Sequence, residues 1–194
     1  MILYFDTETT GLYPGRIIQL AYIMDDNGNV SCKNFYFAVD HIEPSAVAVH
    51  GISVDKLKIL SGGKTFSDYA DEIYEDFSTA DMIVAHNFKF DLSFMIAEYR
   101  YLDRIFRYNA SFDTMRYFTP IMKLERSSSR SYKYPKLTEL TEFAEVYPYD
   151  VSRFLLGKFD GASAASHDAR FDTAAMFLSC RNLKEKYDEL KEIL

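Results

Sequence analysis

The sequence contains no tryptophan, two cysteines among 194 residues, and no apolar run that approaches transmembrane length. Cys32 and Cys180 lie far apart and form no CxxC pair, which argues against a structural zinc site or a disulfide framework. Residues 1–5 have no basic segment before them, and acidic residues follow at once, so we expect no signal peptide. These absences favour a cytoplasmic protein that does not enter a membrane.

Basic residues are also scarce, because 22 Lys and Arg stand against 29 Asp and Glu, which gives a formal net charge of −7. This balance argues against binding nucleic acid through a broad basic face. It does not exclude an enzyme that reaches phosphate groups through bound metal ions. Apolar side chains are abundant, at 48% of the sequence, so length and composition predict a single globular domain over residues 1–194.

The first 40 residues have the pattern of a β-meander. Residues 2–5 read as a buried strand, because the run is short, β-branched and aromatic. Residues 16–25 form a second strand-like run, Asn27-Gly28 supplies a turn, and residues 30–39 give the return strand. We therefore expect three antiparallel strands.

After residue 40 the pattern alternates between helices and strands. One helix is expected to end at Gly51, a second to begin at Ser53, and residues 65–77 have helical spacing. The remaining predictions are strands at 81–86 and 111–113, and helices that begin at Asn87, follow Asp113, and cover 136–145 and 168–190. Such alternation indicates an α/β domain with a mixed sheet covered by helices.

The first acidic motif, Asp6-Thr7-Glu8, directly follows the N-terminal strand. Side chains alternate along a strand, so Asp6 and Glu8 are expected to point to the same side. Two adjacent carboxylates repel each other and are costly to bury, and a divalent cation such as Mg²⁺ or Mn²⁺ relieves that repulsion. A solvated acidic strand end would have the same sequence, so this motif alone leaves both interpretations open.

Two further acidic sites lie at predicted helix starts. Asp91 is on the first turn of the helix that follows the strand 81–86, and His167 and Asp172 lie at the start of the last helix. Each also fits an ordinary role. Asp91 could complement the helix dipole, Asp172 could be a surface acid, and His167 could be a capping residue.

Taken in order, the three motifs resemble those of the DEDDh exonucleases, the DnaQ-like 3′–5′ exonucleases of the polymerase III epsilon type. The shared pattern is Asp-x-Glu after a first strand, Asn-x-x-x-Asp after a later one, and His-x-x-x-x-Asp at a C-terminal helix. His167 marks the DEDDh branch, because the other branch has Tyr where this chain has Asp168. Secondary matches are Thr9-Thr10-Gly11-Leu12, Val49-His50-Gly51-Ile52 and Asp113-Thr114.

The resemblance, which extends from residue 1 to about residue 180, implies a ribonuclease-H-like fold. Its mixed five-stranded sheet would combine the antiparallel meander with parallel strands, flanked by helices. It also implies a two-metal hydrolysis of a terminal phosphodiester that releases a nucleoside 5′-monophosphate. Two such ions can stabilise both the attacking and the leaving oxygen.

The resemblance assigns roles residue by residue. Two Mg²⁺ or Mn²⁺ ions would be held by four carboxylates, and His167 would be the general base, because imidazole exchanges protons near neutral pH. The implied ligands are Asp6, Glu8, Asp91 and Asp172.

The resemblance also places the terminal nucleotide. Thr9 and Leu12 match positions near its sugar and base, His50 matches one near the 3′ end, and Phe90 matches one that packs on the nucleotide. Leu12 and Phe90 are equally well explained as core residues. The segment 123–136 holds five Lys or Arg against one acid, with two tyrosines. We interpret it as a flexible loop that either contacts nucleic acid or is simply solvated.

Two other classes fit less well. A haloacid-dehalogenase-like phosphatase needs Asp-x-Asp, whereas Glu8 takes the second position here and His167 would have no role. A non-catalytic nucleic-acid-binding subunit conflicts with the presence of all five expected active-site residues. No segment for a polymerase partner is evident.

We therefore expect a stand-alone exonuclease acting on nucleic acid with a free 3′ end. DNA is favoured, single-stranded or frayed, and an RNA-trimming enzyme of the same family is the alternative.

Overall fold

The computed structural model describes residues 1–12, 14–125, 131–159 and 167–194. These ranges contain a five-stranded sheet with the order β3-β2-β1-β4-β5. β1 and β3 both pair antiparallel with β2, and β4 and β5 run parallel to β1. The strands are β1 Ile2–Thr9, β2 Ile17–Asp26, β3 Asn29–Tyr36, β4 Met82–Ala85 and β5 Ala110–Asp113. The predicted α/β fold with a mixed five-stranded sheet is thus confirmed.

The helices of the described ranges are α1 Pro44–His50, α2 Val54–Ser61, α3 Ala70–Thr79, α4 Phe88–Tyr101, α5 Thr114–Met122, α6 Leu137–Phe143, α7 Pro148–Leu155, α8 Ala169–Lys184 and α9 Asp188–Ile193. Local sequence signals set the first two boundaries as predicted. Gly51 takes a left-handed conformation and ends α1. The Ser53 side chain accepts the N–H of Lys56 and begins α2. None of the described helices has the length and apolar character needed to cross a membrane.

The turn between β2 and β3 follows its sequence closely. Asn27 and Gly28 both have positive φ, 53° and 91°, and they join strands that pair up to Asp26 and Asn29. β3 ends at Tyr36, so the prediction of a strand to residue 39 was too long. The chain leaves the ladder there. The Phe37 N–H donates to the carbonyl of Ile18, the residue of β2 at which the register with β1 shifts.

Several helix boundaries differ from the predictions for tertiary reasons. The helical segment expected at 65–77 begins as a 3₁₀ turn, Phe66–Asp68, before α3 starts. The helix expected at 168–190 is two helices, because the chain turns after α8. Tyr187 packs there against Phe143, with ring centroids 6.3 Å apart. Helix α7 was not predicted, although Pro148 occupies the first-turn position that suits proline.

The two faces of the sheet are covered by different helices. On one face α8 packs against β1 and β2, at Tyr4 and Ala21 among others. On the other face Phe5 lies edge-on to Phe77 of α3, with ring centroids 5.1 Å apart, and α4 covers the same side. Because both faces are buried, β1 and β2 read as nearly continuous apolar runs. Cys32 and Cys180 are both free.

Candidate active site

The carboxyl end of β1 extends beyond the part of the strand that β4 covers. β4 pairs with β1 only up to Tyr4, and the chain then turns into α4. Asp91, in the first turn of α4, occupies the edge left open. Its Oδ1 accepts the backbone N–H of Thr7 at 3.1 Å and the Thr7 hydroxyl at 2.6 Å. Helix α4, which lies on one face of the sheet, thereby positions the Asp91 carboxylate at the carboxyl end of β1.

The turn into α4 requires an unusual conformation at Asn87, which has a φ of 69°. Asn87 stands at the start of the helix as predicted, but its side chain makes no capping hydrogen bond. Its N–H donates instead to Asp113 Oδ1 at 3.2 Å. Asparagine suits this position because it tolerates the left-handed region better than most residues.

Asp172 reaches the same place from α8. The Thr173 hydroxyl donates to the Ala21 carbonyl at 3.2 Å and fixes the first turn of α8 against β2. Carboxylate oxygens of Asp6, Glu8 and Asp172 lie within 4.8 Å of one another, an arrangement that could hold a metal ion. The structure therefore brings three of the four predicted ligands into one cluster, with Asp91 beside it.

Burial makes ionisation of this cluster costly. Burial, and then the charges of Asp91 and Asp172, raise the pKa of Asp6 well above its ordinary value. Burial and the charge of Asp172 raise the pKa of Glu8 to about 9. Glu8 thus tends to hold its proton at neutral pH unless positive charge compensates it, and the pKa of Asp6 is shifted in the same direction.

The two helix-borne carboxylates are shifted less. Burial raises the pKa of Asp91 to about 7, although the bonds from Thr7 act against the rise. Burial raises the pKa of Asp172 to about 6, against the influence of His167. All four groups share the same tendency. Such a cluster of buried oxygen donors is the environment that a hard divalent cation relieves.

His167 has a φ of 65°, in the left-handed region. Its backbone N–H donates to Asp172 Oδ2 at 3.2 Å, and the residue is exposed. The structure places the histidine next to the carboxylate cluster, as the predicted role requires. Its action as a general base stays a prediction.

A cavity of about 380 Å³ adjoins the cluster and shares Glu8 with it. Such a volume is ordinary for a small-molecule site. All four residues predicted to hold the nucleotide line this cavity: Thr9, Leu12, His50 and Phe90. Sequence patterns gave no nucleotide-binding role to the other wall residues, which are Thr7, Gly11, Ser45, Ala46 and Val49. Helical spacing within α1 offered a signal, since Ala46, Val49 and His50 share one face.

Two of the cavity residues were equally consistent with a core position. Leu12 is 83% exposed, so it is no part of the core. Phe90 is half-buried and packs on Phe94, with ring centroids 5.0 Å apart. Both are therefore available at the cavity wall.

His50 offers a hydrogen-bond donor to the cavity. Its Nδ1 accepts the N–H of Ile52 at 3.1 Å, so the neutral ring carries its proton on Nε2. Nε2 is buried and has no hydrogen-bond partner among the described residues. Burial lowers the pKa of His50, and the nearby backbone of Thr9 only partly opposes this, so the neutral form is favoured.

Sequence patterns assigned no role to Asp168, a further carboxylate at the N-cap of α8. Burial acts to raise the pKa of Asp168, but bonds from Arg170 and Gln19 hold it below its ordinary value. Asp168 is thus ionised beside a cluster that resists ionisation.

The basic segment 123–136 is described only in part, since Arg126–Arg130 lie outside the described residues. Lys133 forms an ion pair with Glu139 of α6, which offsets one of the five positive charges. Tyr132 and Tyr134 are exposed. Contact of this segment with nucleic acid stays a prediction.

Comparison with known proteins places this geometry in context. The family model described as RNase_T, exonuclease, matches residues 3–177. DNA polymerase III subunit epsilon of Escherichia coli K12 is 33% identical over 112 residues, which cover 53% of this chain and 44% of the relative. The PolC-type DNA polymerase III of Listeria welshimeri is 30% identical over 175 residues, covering 86% of this chain and 12% of the relative.

Solved structures show the same fold. The zinc-bound complex of E. coli ExoI with ssDNA superposes with a TM-score of 0.76 at 19% identity, covering 99% of this chain and 42% of that one. The Mg²⁺- and Mn²⁺-bound form of S. pombe Pop2p gives a TM-score of 0.63 at 13% identity, covering 95% and 81%. The chain spans less than half the length of the epsilon subunit and of ExoI. Because the family model extends over most of the chain and includes all three acidic motifs, the chain belongs to the exonuclease family, in its DEDDh, DnaQ-like branch.

Proposed function

We propose that the protein is a 3′–5′ exonuclease that hydrolyses the terminal phosphodiester of nucleic acid and releases nucleoside 5′-monophosphates. The observation that carries this proposal is the cluster of Asp6, Glu8 and Asp172, with oxygens within 4.8 Å of one another, beside a cavity of about 380 Å³. A site of this size suits one nucleotide better than a length of strand.

The residues of the cluster fit a pair of Mg²⁺ or Mn²⁺ ions. We propose that Asp6, Glu8, Asp91 and Asp172 hold them, since every donor is a carboxylate oxygen and hard cations prefer oxygen. The raised pKa of each carboxyl supports the assignment, because a bound cation would offset their mutual repulsion. When bound, the ions stabilise the charge that develops on the phosphate and on the entering and leaving oxygens.

The remaining roles belong to the side chains of the chain. Phe90 and Leu12 would offer apolar surface to the base, and Thr9, on the same cavity wall, would contact the sugar. The His50 Nε2–H, which has no hydrogen-bond partner among the described residues, would donate to the 3′ end. His167 accepts a proton from the water that attacks phosphorus. The bond from phosphorus to the 3′ oxygen of the penultimate nucleotide breaks, and that oxygen takes up a proton to become the new 3′ hydroxyl.

We propose DNA as the favoured substrate, with a single-stranded or frayed 3′ end, and the cytoplasm as the location. The named relatives support this choice, since they are DNA polymerase III subunits and ExoI in complex with ssDNA. A polymerase is a further proposed partner on the same basis.

The test uses 5′-labelled single-stranded DNA, duplex DNA and RNA of equal length, with Mg²⁺, Mn²⁺ or EDTA. We expect a metal-dependent ladder that shortens from the 3′ end, fastest on single-stranded DNA. The Asp6→Asn variant should lose the ladder, whereas Asp55→Asn, at an acid that is 96% exposed on α2, should keep it. Equal activity in Asp6→Asn would contradict the proposed site, and faster cleavage of RNA would overturn the substrate choice.

A further inference from the structure

Gln19 is a completely buried polar residue of β2, and it lies in the same row of the sheet as Glu8. The register pairs Gln19 with Glu8 on one side and with Tyr36 on the other. Directly opposed residues project from the same face, so all three side chains lie on the side that α8 covers. A buried amide is costly unless its oxygen and nitrogen are both hydrogen-bonded.

The Gln19 amide connects β3 to the start of α8. Its Nε2 lies 2.9 Å from Asn34 Oδ1, 3.1 Å from the Tyr36 hydroxyl and 3.0 Å from Asp168 Oδ1. Its Oε1 accepts the N–H of Ala169 at 3.4 Å. The first turn of α8 is therefore tied to a residue that sits directly opposite Glu8.

Asp168 and Arg170 complete the arrangement within that first turn. Asp168 Oδ1 accepts the Arg170 N–H at 3.0 Å and its Nε–H at 2.9 Å, and Oδ2 accepts Nη2 at 2.6 Å. Both side chains are largely buried, with 21% and 10% of their surface exposed. A bidentate pair of this kind fixes geometry as well as charge.

A neutral residue would cap the helix equally well, since Ser or Asn ranks with Asp at this position. A buried ion pair, moreover, adds little to stability, because the loss of hydration offsets the attraction. Capping and stability therefore do not explain why Asp168 is charged and paired. Its position does, since Asp168 Oδ1 accepts a hydrogen bond from Gln19, the residue directly opposite the cluster carboxylate Glu8.

We propose that Gln19, Asp168 and Arg170 form a clamp that positions the first turn of α8, and that Arg170 masks the charge of Asp168 from the metal-binding carboxylates. The clamp sets where Asp172 and His167 stand relative to β1. All three are positioning residues. This inference rests on the proposed function of the cluster as a cation site.

The charge-masking part predicts effects of opposite sign on Mn²⁺ affinity. Arg170→Gln exposes the charge of Asp168 and should tighten Mn²⁺ binding about tenfold, whereas Asp168→Asn removes that negative charge, keeps the positive charge of Arg170, and should weaken binding about tenfold. The double variant removes both charges and should return the affinity to that of the unmodified protein. Mn²⁺ alone is the probe, and free Mn²⁺ is measured by electron paramagnetic resonance.

The positioning part predicts lower turnover without a charge change. Gln19→Met removes the bonds to Asp168 and Ala169, so kcat should fall about tenfold or more with KM nearly unchanged. Arg170→Lys keeps the positive charge but cannot form the bidentate pair with Asp168. It should therefore lower kcat at a nearly unchanged Mn²⁺ affinity. Lys186→Gln, which breaks an exposed ion pair with Glu145, is the matched control and should change neither quantity.

The outcomes separate this inference from the proposed function. If the unmodified protein binds no Mn²⁺, the cation site itself is wrong. If it binds Mn²⁺ but Arg170→Gln and Asp168→Asn shift the affinity in the same direction or not at all, the masking role is wrong. Thermal unfolding of each variant checks its fold. Should Arg170→Gln not fold, Asp168→Asn tests the masking role by its weaker Mn²⁺ binding, and an unchanged affinity in that variant would contradict the role.

Discussion

At the scale of single residues, the backbone and the side chain of His167 have different roles at the carboxylate cluster. Its left-handed φ of 65° turns its N–H toward Asp172 Oδ2. The backbone therefore supports the carboxylate whatever side chain stands at this position. The imidazole is exposed, so its replacement leaves this backbone hydrogen bond in place and tests the role of the side chain.

We predict that His167→Asn keeps the fold and the Mn²⁺ affinity but lowers kcat by about 10²–10⁴-fold, the usual contribution of a general base. Asparagine is chosen because it tolerates left-handed φ. Single-turnover kinetics and an Mn²⁺ titration give the two quantities. His41→Asn is the control, at an exposed histidine that pairs with Glu43 across 3.1 Å. A parallel fall in Mn²⁺ affinity would make His167 a ligand instead.

At the scale of elements, Glu98 of α4 fixes the point where β2 begins. The carboxylate is 1% exposed, and it accepts Arg16 Nε–H at 2.9 Å, Arg16 Nη2–H at 2.8 Å and the Ile17 N–H at 2.9 Å. The Arg16 guanidinium also lies over the Tyr101 ring, 4.9 Å from its centroid. These contacts anchor the chain that leads from the cavity residue Leu12 back into the sheet.

We predict that Arg16→Gln lowers the free energy of unfolding by about 2–3 kcal/mol, because it leaves the Glu98 charge buried with one partner fewer. Urea denaturation at neutral pH measures the change. Lys186→Gln, at an exposed ion pair, should cost less than about 1 kcal/mol. If both variants lost the same free energy of unfolding, the burial of Glu98 would not add to the cost of losing its partner.

The elements that the sequence predicted well are those set by local chemistry. Asn27-Gly28 turns the hairpin and Gly51 ends α1, because both need positive φ. Strand alternation likewise placed Asp6 and Glu8 on one side. In contrast, the end of β3 and the split between α8 and α9 depend on packing against distant residues, which leaves no short-range pattern.

The candidate site divides in the same way. The motif carboxylates were recognised by order and spacing, but the contact of Asp91 with Thr7 joins residues 84 positions apart and follows from the short pairing of β4. The bond between Gln19 and Asp168 spans 149 positions. Gln19 belongs to no motif, and Asp168 is a position of the third motif to which no role was assigned, so only the folded chain reveals their connection to the cluster.

At the scale of the whole molecule, the fold gathers buried carboxylates from β1, α4 and α8 at one end of the sheet. In the absence of cations this arrangement opposes folding whenever the groups ionise. Their pKa values lie above the ordinary range, at about 6 for Asp172, about 7 for Asp91 and about 9 for Glu8. The folded state thus holds more protons than the unfolded state over this interval, so its stability falls as the pH rises.

We therefore predict that, in EDTA, thermal stability declines as the pH is raised from about 5 to about 9, as the raised carboxyl groups lose their protons. Mg²⁺ should reverse this trend, because deprotonated carboxylates bind the ion and ligand binding stabilises the folded state. The increase in Tm caused by Mg²⁺ should consequently grow with pH. Calorimetry with EDTA or with Mg²⁺ measures both curves.

Asp6→Asn should flatten the EDTA curve and shrink the Mg²⁺ effect, since it removes one repelling charge and one ligand. An Mg²⁺ effect that is equal at low and high pH would mean that the ion binds elsewhere on the protein.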